Sequence, residues 1–274
     1  IGIGVVGSYL PSLTIPMFGE TGTLWFAIVW VGCGGLVAFF SLRNVPVDRS
    51  RVNLPLRGKM TELSRAGTIL FTNRDIFYAC LIRIINTLSL FGFAIVMPLL
   101  FVDRLGFSIS EWLQIWAVFF FVTIFTNVFW GITGEYIGWI RQVRWFGCLG
   151  MAISSLTFYY LPVYAGHNFA VALIPAIMLG IFVAAFVPMT AVFPTLEPHH
   201  KGAAVSIYNL SAGMSNFVAP AIASALLPFF DIVGVVWAYT GLYIFAGVLT
   251  FIIKVPQPKR VRQGRSPEEV EQSV

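Results

Sequence analysis

The sequence predicts an all-α polytopic membrane protein, and three observations carry that prediction. Hydrophobic residues make up 58% of the chain and charged residues only 11%, whereas soluble domains carry about 25% charged residues. The mean hydropathy is +0.84. The apolar residues are gathered into stretches of the length that a helix needs to cross a bilayer, about 20 residues. This composition excludes an ordinary soluble domain.

Eight apolar stretches follow one another along the chain. They are residues 1–18, 24–42, 76–101, 112–134, 145–164, 169–193, 203–228 and 233–253. Most connections between them are short, as antiparallel neighbours in a helical bundle require. Two polar segments stand apart, a linker at 43–75 and a tail at 254–274 that is predicted to be disordered. The first residues read as the interior of a helix and no initiator Met precedes them, so we expect a C-terminal fragment.

The loop charges predict an orientation. Of the seventeen Lys and Arg residues, fifteen lie in alternate loops, in the linker and in the tail, and only Arg104 lies in the opposite set of loops. Cytoplasmic loops carry the excess of Lys and Arg, so the linker and the C-terminal tail are predicted to be cytoplasmic. Because the cations lie between apolar spans, the net charge of +5 does not indicate nucleic-acid binding. The three cysteines lie within apolar stretches and are predicted to be free thiols, with no metal and no cofactor.

A weak internal repeat predicts the domain organisation. Gly4–Pro11 and Gly213–Pro220 share a glycine and a proline seven positions apart, and Gly22–Trp25 resembles Gly234–Trp237. Spans one and two would then correspond to spans seven and eight, six helices later. This spacing is typical of a twelve-helix protein built from two six-helix halves. Residues 1–42 would be the last two helices of the N-terminal half, and residues 76–253 the whole C-terminal half.

The third span carries the most unusual polar residues. Arg83, Asn86 and Thr87 are spaced to lie on one face of a helix. A guanidinium in hydrocarbon costs roughly 3 kcal/mol on insertion scales, so this face is predicted to line a bundle interior or a water-filled cavity. The alternative is that Arg83 reaches back to the membrane interface, since it lies about two turns from the start of its helix.

Three runs of sequence resemble a known family. They are NRDIFYACLIRIINTLSLFGF at 73–93, VRWFGCLGMAISSLTFYYLP at 143–162 and HKGAAVSIYNLSAGMSNFVAPAIA at 200–223. The chain resembles the polyol permeases of enteric bacteria within the major facilitator superfamily. The resemblance implies eight of twelve transmembrane helices and alternating-access uptake of a pentitol such as ribitol or arabinitol across the bacterial inner membrane. It also implies coupling to protons and a monomeric full-length protein.

The loop after the fourth span resembles the gating motif of that superfamily in altered form. Gly131, Glu135 and Gly138 match the motif, with Glu in place of Asp, whereas a tryptophan stands where the first Arg is expected. The basic residues follow later, at Arg141 and Arg144. The resemblance implies a cytoplasmic latch between the carboxylate and a cation. The alternative is a solvated loop with the usual positive bias.

Neutral polar side chains among aromatic faces suit a polyhydroxyl solute. The residues predicted to bind it are Arg83, Asn86, Asn127, Trp130, Tyr159, Asn209 and Asn216. The alternative role for each is packing between helices, since small and polar residues are common at membrane helix interfaces. Because Arg83 could pair with an anion, a carboxylate such as 2-oxoglutarate or another dicarboxylate is the alternative substrate.

Two other classes of protein remain as alternatives. A membrane-embedded enzyme would need clustered carboxylates or histidines, but the acidic residues are scattered about one per loop. A receptor without transport activity would lack a polar lumen, and the Arg83 face argues against it. Neither a phosphate-binding loop nor a nucleophile elbow occurs in the sequence, so an ATP-driven pump is not indicated.

Overall fold

Every element in the described part of the chain is helical. The computed structural model describes residues 2–41 and 67–255. The predicted linker up to residue 66 and the predicted disordered tail from residue 256 lie outside the described residues. The helices are α1 (Gly2–Ser41), α2 (Arg74–Asn86), α3 (Leu88–Pro98), α4 (Ile109–Ile137), α5 (Trp139–Gln142), α6 (Gly150–Ala165), α7 (Phe169–Ala184), α8 (Met189–Leu196) and α9 (Lys201–Leu249). Two π-helical segments, Leu99–Arg104 and Val143–Leu149, extend α3 and join α5 to α6.

Six helices in the described residues are long and apolar enough to cross a membrane, but the first of them is a hairpin. Gly19 interrupts α1 with φ 68° and ψ −179°. Thr14 and Thr23 lie nine residues apart, about 13 Å along a straight helix, yet their hydroxyl oxygens are 3.0 Å apart. The chain therefore reverses at Gly19, and α1 has two antiparallel arms, 2–18 and 20–41.

The last long helix is a hairpin as well. Asp231 interrupts α9 with φ 57° and ψ −171°. The Tyr239 hydroxyl donates to the Ala219 carbonyl at 2.8 Å, although a continuous helix would place these residues about 30 Å apart. The arms are 201–230 and 232–249. Counting arms gives eight apolar crossings, which coincide with the eight predicted stretches and confirm the fold class.

The two hairpin turns share one geometry. Gly19 and Asp231 adopt the same backbone conformation, and each turn packs a glycine against the phenylalanine that precedes it. In the first turn Gly22 lies against the Phe18 side chain, and in the second Gly234 lies against Phe230. The equivalent positions are 212 residues apart in both cases. The offset of 212 is that of the Gly22–Trp25 and Gly234–Trp237 match, and the repeat stays a prediction.

Side-chain caps fix where the helices begin. The Asn73 side chain accepts hydrogen bonds from the Asp75 and Ile76 amides before α2. Ser108 and Glu111 form a reciprocal capping box at the start of α4. These caps explain why both spans begin two or three residues before the predicted apolar stretches.

Glycines set the packing around α7. Gly180 of α7 lies against the Phe119 backbone of α4, and Gly150 of α6 lies against the Phe182 ring. Small residues let membrane helices approach closely, so α7 is held between α4 and α6. The first arm of α1 packs on the outside of α4, where the Ser110 hydroxyl donates to the Ser12 carbonyl at 2.6 Å.

Candidate functional site

The third span is broken near its middle. Helix α2 ends at Asn86, Thr87 has φ −105° and ψ 17°, and α3 begins at Leu88. Tyr243, from the second arm of α9, is fully buried and bridges the break. Its hydroxyl donates to the Asn86 carbonyl and accepts from the Ser89 amide, both at 3.1 Å. Breaks in membrane helices persist where neighbours satisfy the backbone groups, and Tyr243 does so here.

The predicted polar face lies at this break and holds unused hydrogen-bonding atoms. Arg83 Nε and Nη1, Asn86 Oδ1 and Thr87 Oγ1 are buried and have no hydrogen-bond partner within the described residues. The Arg83 guanidinium carbon lies 4.9 Å from the centroid of the Tyr208 ring. Buried polar atoms are almost always hydrogen-bonded in proteins. These unpaired donors and acceptors at the break therefore need an explanation, and solute binding stays a prediction for them.

The first arm of α9 forms one wall of this site. The Ser211 hydroxyl lies 2.9 Å from Cys80 Sγ, and the Ser215 hydroxyl donates to the Ile84 carbonyl at 2.9 Å. These bonds fix the arm against α2 and so hold Tyr208 over Arg83.

Two predicted amides lie on another side of this arm. Asn209 and Asn216 are exposed, roughly a quarter turn from Tyr208 at 3.6 residues per turn. The side-chain amide of Asn216 donates to the Gly213 carbonyl at 3.2 Å. Both residues therefore point away from the packed α2 surface.

Of the two residues predicted on α4, Trp130 contacts α7 and Asn127 bonds within its own helix. The α7 helix ends where Ala185 bonds back to Phe182 instead of Ile181. Trp130 Nε1 donates to the free Ile181 carbonyl at 2.8 Å. Asn127 donates to the Thr123 carbonyl of its own helix at 2.7 Å. Trp130 thus packs α4 against α7 in the structure, and a contact between Trp130 and the solute stays a prediction.

Tyr159 lies toward the end of the bundle marked by an ion pair. Arg104 binds the Asp231 carboxylate through both terminal nitrogens, at 2.7 and 2.6 Å. Tyr159 is one turn beyond Ser155, whose hydroxyl lies 2.9 Å from the Ser89 hydroxyl. The pair also holds Asp231 in a backbone region that is essentially restricted to glycine.

The predicted gating residues surround a sharp turn. Gly138 ends α4 with φ 103°, a conformation that favours glycine. Gly131 and Glu135 are exposed, and Glu135 forms no ion pair with any residue in 2–41 or 67–255. Arg141 is exposed, whereas Arg144 is bound to the end of α9. The latch stays a prediction.

The sequence did not reveal the break or the tyrosine that bridges it. Neither proline nor glycine occurs at residues 86–88, so the usual signal for a helix break is absent. The signal that was available is the pair Tyr239 and Tyr243, spaced one turn apart in an otherwise apolar span. Both side chains are fully buried, and buried tyrosines need a partner for the hydroxyl.

This architecture defines a multi-span helical membrane protein with unpaired buried polar atoms at a break near the middle of one span. The model of the Major Facilitator Superfamily matches residues 79–273, and the chain belongs to that family. No solved structure matches the chain.

Three curated relatives are similar over nearly the whole chain. The ribitol transporter of Klebsiella pneumoniae is 64% identical over 258 residues, which are 94% of this chain and 60% of the relative. The D-arabinitol transporter of the same organism is 65% identical over 258 residues, 94% of this chain and 61% of the relative. The alpha-ketoglutarate permease of Bacillus subtilis is 39% identical over 256 residues, 93% of this chain and 58% of the relative. The chain therefore spans about 60% of the length of these relatives.

Proposed function

We propose that the full-length protein is a secondary transporter that moves a pentitol such as ribitol or D-arabinitol across the bacterial inner membrane by alternating access. One observation carries the proposal. Buried polar atoms of Arg83, Asn86 and Thr87 have no hydrogen-bond partner within the described residues and lie at or within one turn of the break in the third span. The names of the two Klebsiella relatives support the choice of solute. The proposal excludes an enzyme and a silent receptor.

The chemistry of the site suits a neutral polyol. A pentitol carries a hydroxyl on every carbon, and each hydroxyl both donates and accepts. Arg83 supplies donors, Asn86 Oδ1 supplies an acceptor, and the Thr87 hydroxyl supplies either. The Tyr208 ring gives the carbon face of the solute an apolar contact. Five further residues were predicted to bind the solute, and they would reach it only if the helices moved or another part of the full-length protein completed the site. They are Asn127, Trp130, Tyr159, Asn209 and Asn216.

Alternating access requires two conformations that differ in their contacts. We propose that the full-length protein has two halves that move relative to each other, with residues 1–42 in the first half and residues 76–253 in the second. We also propose a latch that pairs Glu135 with a cation in one of the two conformations. Proton coupling is also part of the proposal. Within the described residues the acidic side chains lie at or near the ends of the helical arms, so a proton carrier in this part would lie near a membrane surface.

A carboxylate is the second candidate substrate, because one observation favours it. The Arg83 guanidinium has two free nitrogens, and a planar guanidinium fork matches a carboxylate. The Bacillus relative named for alpha-ketoglutarate is 39% identical. The two solutes differ in charge, which makes them easy to separate by experiment.

Uptake into proteoliposomes tests the function. The full-length protein is reconstituted, and uptake of labelled ribitol, D-arabinitol and 2-oxoglutarate is measured with and without an inward proton gradient. The proposal expects pentitol uptake that is saturable and that rises with the gradient. Uptake of 2-oxoglutarate alone would establish the carboxylate instead, and uptake of none of them would overturn both.

The orientation is tested by labelling single cysteines. We propose that the linker and the C-terminal tail face the cytoplasm, as the loop charges predict. His199 and His167 are both exposed and lie in loops of opposite sets. In a cysteine-free background, His167→Cys should react with an impermeant maleimide on intact cells, and His199→Cys only in inverted vesicles. The reverse pattern would overturn the topology. We also propose a monomer, which light scattering of the purified protein would check.

A further inference from the structure

A basic pocket that does not include Arg83 lies at one end of the bundle. Its volume is about 790 Å³, and it lies between the Gly138 turn and the end of the second arm of α9. Arg141 and Arg144 line one side, and Ile253 and Lys254 line the other. The pocket therefore joins two helices that are distant in the sequence.

The charge of this pocket is unbalanced. Three cations line it, Arg141, Arg144 and Lys254, and no Asp or Glu of residues 2–41 and 67–255 is among the lining residues. The nearest acidic residue on the same turn, Glu135, belongs to exposed α4 surface outside the lining. Cations gathered without a counter-charge raise the local potential and attract an anion.

One of these cations is already held in position. Arg144 Nε donates to the Thr250 hydroxyl at 2.9 Å, and its Nη2 donates to the Thr250 carbonyl at 2.8 Å. The guanidinium carbon lies 3.6 Å from the centroid of the Phe251 ring. These contacts leave Nη1 of Arg144 available to donate to a further acceptor, and they fix the direction in which the guanidinium points. A cation that is fixed in advance loses less conformational entropy when it binds a ligand.

The walls of the pocket continue into apolar surface. Trp145 and Leu149 are exposed on the π-helical segment, and Val248, Phe251 and Ile252 are exposed at the end of α9. In a membrane protein such side chains face hydrocarbon, and aromatic residues mark the interface with the headgroups. The pocket thus opens where lipid-facing surface meets the polar surface.

We propose that this pocket binds the phosphate of an anionic phospholipid, with the acyl chains along the exposed apolar side chains of Trp145 and Phe251. Arginine forks match phosphate oxygens, and basic pockets between membrane helices at the cytoplasmic side take anionic headgroups. A free phosphate shares the headgroup chemistry but would gain nothing from the apolar walls. The pocket shares Arg141 and Arg144 with the predicted latch but does not include Arg83.

The test measures lipid binding to the full-length protein in detergent. The thermal unfolding midpoint is followed as phosphatidylglycerol, phosphatidylcholine or inorganic phosphate is added, since a ligand that binds only the folded state raises the midpoint. The lipid-binding variant is Arg141→Gln with Lys254→Gln, because Arg144 also makes structural bonds. The control is Lys201→Gln, an exposed cation outside the pocket.

Phosphatidylglycerol should raise the midpoint of the wild type and of the control equally, and phosphatidylcholine should not. The double variant should bind phosphatidylglycerol roughly 30-fold more weakly, because each of the two lost cations contributes about 1 kcal/mol near an anionic headgroup. Equal binding by the double variant and the wild type would overturn the proposal. A shift reproduced in full by inorganic phosphate would overturn the lipid as the ligand and leave a simple anion site.

Discussion

Replacing Tyr243 by phenylalanine isolates the contribution of the hydroxyl that bridges the broken span. The ring stays in place, so the packing of this fully buried side chain is kept. The Asn86 carbonyl and the Ser89 amide each lose a hydrogen bond of 3.1 Å. Both groups lie in the membrane interior, where water does not replace the lost partner.

The size of the effect follows from the two lost bonds. Interhelical hydrogen bonds in a membrane protein average about 0.6 kcal/mol and reach about 1.7 kcal/mol, and an unpaired buried backbone group costs about 1–3 kcal/mol. We therefore expect Tyr243→Phe to lower the free energy of unfolding by about 2 kcal/mol, which is roughly a 30-fold change in the ratio of folded to unfolded protein.

Two variants serve as controls. Tyr239→Phe removes a buried hydroxyl that donates to Ala219, away from the break. Tyr164→Phe removes a hydroxyl from a side chain that is 92% exposed. Unfolding of the full-length protein is measured in mixed micelles against denaturing detergent, and solute affinity is measured on the same samples.

The expected pattern separates stability from binding. Tyr239→Phe should lose stability but keep solute affinity, Tyr164→Phe should change neither, and Tyr243→Phe should lose both. The reason is that, of these three tyrosines, Tyr243 is the one that bonds to the backbone at Asn86 and Ser89. If Tyr243→Phe unfolded like wild type, within about 0.5 kcal/mol, the bridging role would be refuted.

Three further predictions concern the packing, the second hairpin turn and the gate. Gly92→Ala should lower the free energy of unfolding by about 1–3 kcal/mol, because a Cβ there would overlap the Tyr239 ring; unchanged detergent unfolding would contradict this. Asp231→Asn should destabilise the protein more than Asp231→Gly in the same assay. Both variants lose the charge that Arg104 binds, but asparagine keeps the backbone strain of about 1–3 kcal/mol that glycine relieves. The opposite order would contradict this prediction. Glu135→Gln should alter pentitol uptake while expression stays normal, and uptake equal to that of the wild type would contradict the predicted latch.

The apolar pattern was sufficient to predict the helices and their number. Each crossing needs a run of hydrophobic residues, and turns such as 19–23 and 229–232 interrupt the runs. Helical spacing was also sufficient to place Arg83 and Asn86 on one face, because residues three apart share a face of a helix, whereas Thr87 follows the end of α2.

Contacts between distant segments could not be predicted in the same way. The hydroxyl that bridges the break at Thr87 comes from Tyr243, 157 residues beyond its acceptor Asn86. Trp130 is engaged by α7 because the helix break there frees the Ile181 carbonyl. Both facts depend on how the helices are arranged in space, and a single sequence carries no direct record of that arrangement.

The most direct test of the account is the affinity of the full-length protein for ribitol when Arg83 is changed. Equilibrium binding is measured by calorimetry for the wild type, Arg83→Lys and Arg83→Ala, with circular dichroism and membrane insertion as controls for folding. Lysine keeps the charge but loses the planar fork, so we expect Arg83→Lys to bind much more weakly and Arg83→Ala to show no binding and no uptake. Binding and uptake by Arg83→Ala within about twofold of wild type, a difference of about 0.4 kcal/mol, would contradict the site and make Arg83 an anchor at the membrane interface.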